Sequence, residues 1–173
     1  MSRSDASIPE PWLRGTFAEV PAVGRGVLHA LELALEDAKK WCDGLSDAQL
    51  HARPAGLPSV ALQLRHIAGS LDRLLTYAEG RALSEEQLQV LKAEANPEGS
   101  TQELLAELEA AISHGSMRVR ALASENPSLP RAVGSKGLPT TLGGLLVHIA
   151  DHTQRHVGQA ITTAKLVSAS KAL

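Results

Sequence analysis

Aromatic residues are almost missing from this 173-residue chain, which has only Trp12, Phe17, Trp41 and Tyr77. Four scattered rings provide no platform on which nucleotide bases could stack. Charge of one sign is also lacking. The formal net charge is −2, so there is no basic field for a phosphate backbone. The most basic short stretch, Arg131 to Lys136, holds two charges, and a solvated loop accounts for it. Nucleic acid is therefore not expected as a partner. Cys42 is the only cysteine, which excludes an intrachain disulfide. It follows Lys39, Lys40 and Trp41 in a helical stretch and reads as an inert helix residue. No apolar run reaches the roughly 18 residues needed to cross a membrane. The opening residues Met1-Ser-Arg-Ser-Asp5 lack the apolar centre of a signal peptide. The expectation is a soluble, cytoplasmic chain forming one domain over residues 1–173.

What is present is helical spacing of apolar residues, with no convincing alternating strand. A first helix is expected over about residues 20 to 44, with Pro21 in its first turn and Gly44 at its stop. Val27, Leu28, Leu31, Leu35 and Ala38 would form its core face. His51 and the segment from Arg53 to Pro58 read as a connector rich in breakers. A second helix runs from about Ser59 to Glu79, its core face carrying Val60, Leu64, Ile67, Leu71, Leu74 and Leu75. A shorter piece covers about residues 83 to 95. After Asn96-Pro-Glu-Gly99, Ser100 and Glu103 have capping-box spacing and open a third long helix to about Ser124. Residues 126–139 read as loop. Thr140 or Thr141 caps the last long helix, which reaches about Val167 before a frayed end. Four long helices, one short one and moderate connectors predict an all-α four-helix bundle.

Within the last helix, His148, His152 and His156 stand four residues apart. Residues i and i+4 share one helix face, so two such imidazoles can grip one divalent ion with nitrogen distances of about 2.0–2.1 Å. A third ligand must come from elsewhere, and His66 is the obvious donor. With His152 at 0° on a helical wheel, His148 and His156 fall at about −40° and +40°. Leu142, Leu146, Ile149, Val157, Ala160 and Ala164 cluster on the adjoining apolar face. The histidines thus border the core and face a cleft. On the second helix His66 shares a polar stripe with Ser59, Ser70, Arg73 and Tyr77. A lone histidine at a core edge is ordinarily just a hydrogen-bonded side chain, and H-x-x-x-H arises by chance as well. His148 reads as a ligand, an outer partner or a bystander. His29, His51 and His114 lack partners at useful spacing and read as surface residues. H-E-x-x-H is absent, because Thr153 follows His152 and no glutamate base sits there.

Two pieces of the chain carry a family likeness: Ser59-Val-Ala-Leu-Gln-Leu-Arg-His-Ile-Ala-Gly-Ser-Leu-Asp-Arg-Leu-Leu75 and His148-Ile-Ala-Asp-His-Thr-Gln-Arg-His-Val-Gly-Gln159. In these, the chain resembles the DinB/YfiT-like family of metalloenzymes, over about residues 20 to 167. The resemblance implies an up-down-down-up four-helix bundle, often dimeric, that binds nickel, zinc or a similar divalent ion. It makes His66, His152 and His156 the metal triad. His148 is extra to that set, leaving it as an alternative ligand or an outer partner together with Gln159. Some members of that family are S-transferases using mycothiol, bacillithiol or glutathione, which points to a low-molecular-weight thiol and a small-molecule substrate.

Three neutral imidazoles leave at least one position open on an ion, the pattern of a catalytic centre. Such a centre can activate a thiol for transfer or a water for hydrolysis. A non-catalytic metal-binding or stress-response module is a third reading, and a metal-free binding scaffold a fourth. Gln159, Thr141, Ser70 and Tyr77 are candidates to hold the outer ring nitrogens. Asp151 and Arg155 have i,i+4 ion-pair spacing. Helices rich in Ala and Leu can pack flat against a copy, so a homodimer is expected.

Overall fold

A computed structural model describes residues 8–169. The order is α1 (Ala22–Cys42), α2 (Asp47–His51), α3 (Val60–Ala78), α4 (Glu85–Ala93), α5 (Thr101–Leu122), β1 (Pro130–Val133), β2 (Leu138–Thr141) and α6 (Leu142–Ala169), with single 3-10 turns at Pro11–Leu13 and Pro54–Gly56. The expected fraying of the extreme C-terminus concerns residues outside this range.

Local chemistry sets most helix starts. Ser46, Ser84 and Ser100 each close a capping box with the residue three positions on, satisfying amides that a helix cannot pair itself. Ser59 caps α3 by accepting from the Leu62 amide at 3.2 Å. Of the two candidate caps on α6, Thr141 does the work: its Oγ1 accepts from the Gly144 amide at 3.1 Å.

The four long helices are α1, α3, α5 and α6. Both α1 and α3 pack against α5 and α6, so the order round the core is α1, α6, α3, α5. Leu31, Leu64, Leu108 and Ile149, one from each helix, are essentially fully buried. Each such side chain contributes about 1.5–3 kcal/mol. The core faces are turned slightly from those expected. Leu35 and Leu74 are only partly buried, while Ala34 and Arg73 are buried.

Three expectations are corrected. The connector after α1 contains the short helix α2, because Ser46 and Gln49 cap it locally. The 126–139 loop is largely an antiparallel hairpin, pairing Pro130 with Thr141 and Val133 with Leu138. Its strands of four residues are too short to show an alternating pattern. Pro130 and Pro139 read as breakers, yet in a two-stranded sheet both strands are edges, where a missing amide is tolerated. Gly134 and Gly137 take positive φ at the turn, which glycine adopts at no steric cost. Finally, His29 is buried rather than on the surface. Residues ahead of α1 fold over it, placing its Nε2 3.1 Å from Thr16 Oγ1 and its ring 5.4 Å from Phe17. His51 is half-buried, with Nε2 2.8 Å from the Gly99 carbonyl oxygen; His114 is exposed as expected.

Cys42, the last residue of α1, is completely buried. Burial pushes its thiol up to about 11, which is the behaviour of an inert cysteine. Among the described residues no helix is long and apolar enough to cross a membrane.

Candidate metal centre

The seam between α3 and α6 positions the site. His152 and His156 stack one turn apart on α6, ring centroids 4.4 Å apart. From α3, His66 reaches across to them, its centroid 5.2 Å from His152 and 4.4 Å from His156. One ring nitrogen from each lies within 4.8 Å of the other two, and all three residues are half-buried. The triad could bind a metal ion.

The far side of each ring is held by a different partner. His66 Nδ1 donates to Glu94 Oε2 at 2.9 Å. His156 Nδ1 donates to Gln63 Oε1 at 2.7 Å. His152 Nδ1 lies 3.5 Å from Ser70 Oγ, a hydroxyl that also reaches the Ile67 carbonyl at 3.2 Å. A carboxylate or amide oxygen can only accept, so His66 and His156 are held as the Nδ1–H tautomer. The lone pair is then on Nε2 in both. This is how proteins orient imidazole ligands toward an ion, and the donor set suits zinc, nickel and their neighbours.

Electrostatics favour the neutral form of two of the rings. Burial, then the proximity of His156, His66 and His148, lowers His152 to about 4. Burial and His66 also push His156 below its ordinary value. Neutral imidazoles are the form that ligates. Burial would raise the Glu94 carboxyl, but hydrogen bonds from His66 and Arg73 outweigh it and hold the group below its ordinary value. Both guanidinium nitrogens Nη1 and Nη2 of Arg73 bond this carboxylate.

The remaining candidates divide. His148 sits one turn before His152, ring centroids 5.3 Å apart; it is half-buried and pairs with Asp151 at 3.0 Å, outside the converging triad. Asp151 makes the expected i,i+4 pair with Arg155 at 3.2 Å. Gln159 Oε1 accepts from Gln63 Nε2 at 3.0 Å and also interacts with the His156 side chain, opposing the fall that burial causes there. Thr141 is spent on capping α6. Tyr77 lines a separate cavity of about 640 Å³ formed with Arg81, Leu88 and Arg131.

Sequence reasoning missed Glu94 and Gln63. Gln63 had a local signal, being an amide on the apolar stripe of α3 one turn before His66. Glu94 had none, since it lies 28 residues from His66 on a different element. A groove of about 290 Å³ starts at Gln159 and runs along Arg155, Gly158, Thr162 and Thr163 to Leu57 and Pro58.

The model of one protein family, the DinB superfamily, matches residues 30–160. That span holds the three histidines with Gln63 and Glu94, and the chain belongs to this superfamily. No curated protein matches the chain.

Proposed function

We propose that this DinB superfamily protein is a divalent-metal-dependent S-transferase for a small thiol, built on an up-down-down-up four-helix bundle and working as a homodimer. The observation that carries the reading is the convergence of three imidazoles, two of them, His66 and His156, held by their outer nitrogens so that their Nε2 lone pairs are free for one ion. His66, His152 and His156 would hold that ion, nickel or zinc by donor type. When bound, it would supply the acidity that turns a thiol into a thiolate at neutral pH.

The chain's own residues would do the rest. The thiol sulfur forms its bond to an electrophilic carbon as the leaving group departs with the bonding pair. The thiol proton passes to His148 at the rim and then to the leaving group or solvent, while Gln159 orients the substrate in the adjoining groove. Hydrolysis is the second reading and would use the same triad. The two carboxylates at hand are committed, Glu94 to Arg73 and His66, Asp151 to Arg155 and His148, so hydrolysis too would rely on His148 as its base, and thiol chemistry is preferred on what the family resemblance implies.

The test compares wild type with His152→Ala after reconstitution with nickel or zinc. Thiol transfer to an activated haloaromatic and hydrolysis of ester and amide substrates are assayed in parallel. Thiol-dependent turnover that disappears in the variant supports the proposal. Turnover without thiol selects hydrolysis, and tight metal binding with neither activity selects a binding module. Sedimentation at micromolar protein tests the dimer; a lone 18 kDa species would refute it.

A further inference from the structure

Between α3 and α5 the chain leaves the core, and α4 has no buried residue of its own. What holds this excursion down is polar. Gln87 Nε2 donates to Asp72 Oδ2 at 2.6 Å and to Thr76 Oγ1 at 2.8 Å. Arg53 donates to the Ala95 carbonyl at 3.3 Å and Arg65 to that of Glu98 at 2.9 Å. Its one deeply buried side chain at the end of α4 is Glu94, only 5% exposed.

Glu94 can go that deep because of a notch in α3. A Cβ at Gly69 would lie 2.1 Å from Glu94 Oε1 and 2.8 Å from Arg73 Nη1. Glycine in a helix interior costs roughly 0.5–1 kcal/mol against alanine, and here the missing methyl is the space in which the carboxylate sits. From that seat one oxygen bonds Arg73 and the other accepts from His66 Nδ1. The Arg73 guanidinium compensates the buried charge, which would otherwise be too costly to keep ionised.

We infer that Glu94 is the positioning residue of His66, and that the Gly69 notch makes docking of the α3–α5 excursion a condition for assembling the metal centre. Of the three imidazoles, His66 alone comes from α3, and its outer partner alone comes from an element outside the four long helices. With Glu94 seated, the His66 proton stays on Nδ1 and Nε2 faces His152 and His156. With Glu94 displaced, the ring is free to rotate and to exchange tautomers. The inference rests on the metal-centre reading for its effect on affinity, but the ring orientation is measurable without metal.

The experiment uses Glu94→Gln, Glu94→Ala and Gly69→Ala in the full-length protein. Gly69→Ala touches no histidine, and alanine favours the helix; the atoms its methyl meets are the ends of two flexible side chains, so the fold should persist, as a thermal melt would show. Nitrogen NMR of the metal-free chains reports the His66 tautomer, and competition against a chromophoric chelator reports zinc affinity. Expected is a fixed Nδ1–H signal in wild type that averages between tautomers in Glu94→Ala and Gly69→Ala. Zinc affinity should fall 10- to 100-fold in those two, with a smaller loss in Glu94→Gln, whose amide oxygen can still accept. An unchanged His66 signal in folded Gly69→Ala and Glu94→Ala overturns the inference. So does zinc affinity within twofold of wild type. If wild type itself binds no zinc while the tautomer result holds, the metal reading fails and the positioning role stands.

Discussion

Metal addition should raise the melting temperature of this protein, by an amount the geometry allows to be estimated. A tetrahedral ion with nitrogen distances of about 2.0–2.1 Å needs its ligand nitrogens roughly 3.3 Å apart. The three nitrogens here already lie within 4.8 Å of one another. Closing the widest pair takes about 1.5 Å, shared between two rings, which side-chain rotation supplies without moving a helix. The binding energy is then not spent on rebuilding the fold. An ion at 100 times its dissociation constant stabilises the native state by about 2.7 kcal/mol. For a chain of this length, each kcal/mol is worth about 2–4 °C. Scanning calorimetry of the metal-free protein with and without zinc or nickel should therefore show a rise of about 5–11 °C. Because His66 alone comes from α3, His66→Ala should lose nearly all of that rise while keeping a metal-free melt close to wild type. No rise in wild type at millimolar metal, or an equal rise in His66→Ala, would refute the argument.

Other predictions concern the partners of the rings and two buried groups. Replacing Gln63, which is 1% exposed, by leucine keeps the volume but removes the His156 acceptor; zinc affinity measured by chelator competition should drop about 10- to 100-fold, with stability changed by about 1–3 kcal/mol at most. Cys42 should react with a thiol reagent about 100-fold more slowly in the native protein than in denaturant, since burial holds its thiol at about 11. In the metal-free protein, the neutral form of His152 is favoured by folding, its value falling from 6.5 to about 4. The unfolded chain binds the proton first, so stability should be level above about pH 6.5 and decline as pH falls toward 4, by about 1–2 kcal/mol once solvent at this half-buried ring is allowed for. Urea unfolding across that range should show the decline, and His152→Gln should flatten it.

Much of the helical layout was legible locally. Ser59, Ser84 and Ser100 announce three helix starts through side chains that reach only three residues ahead. The spacing of His152 and His156 guarantees that they share a face wherever the helix packs. The partners of those histidines were less legible. Gln63 bonds His156 across 93 residues of sequence, and nothing in the α4 segment marks Glu94 as the one residue that goes inside. His29 looked like a surface histidine until residues 16 and 17 closed over it, and the hairpin was hidden by prolines that only an edge strand accepts.

The chain by itself determined where helices start, which faces are apolar and that two histidines stack on one turn, because capping and the 3.6-residue repeat act within about four residues. Only the tertiary structure decided that His66 meets the other two, that Glu94 and Gln63 hold the outer nitrogens and that Gly69 leaves room for a carboxylate. Those contacts join segments far apart in sequence, and they depend on how closely packed helices approach one another rather than on any local preference of the residues involved.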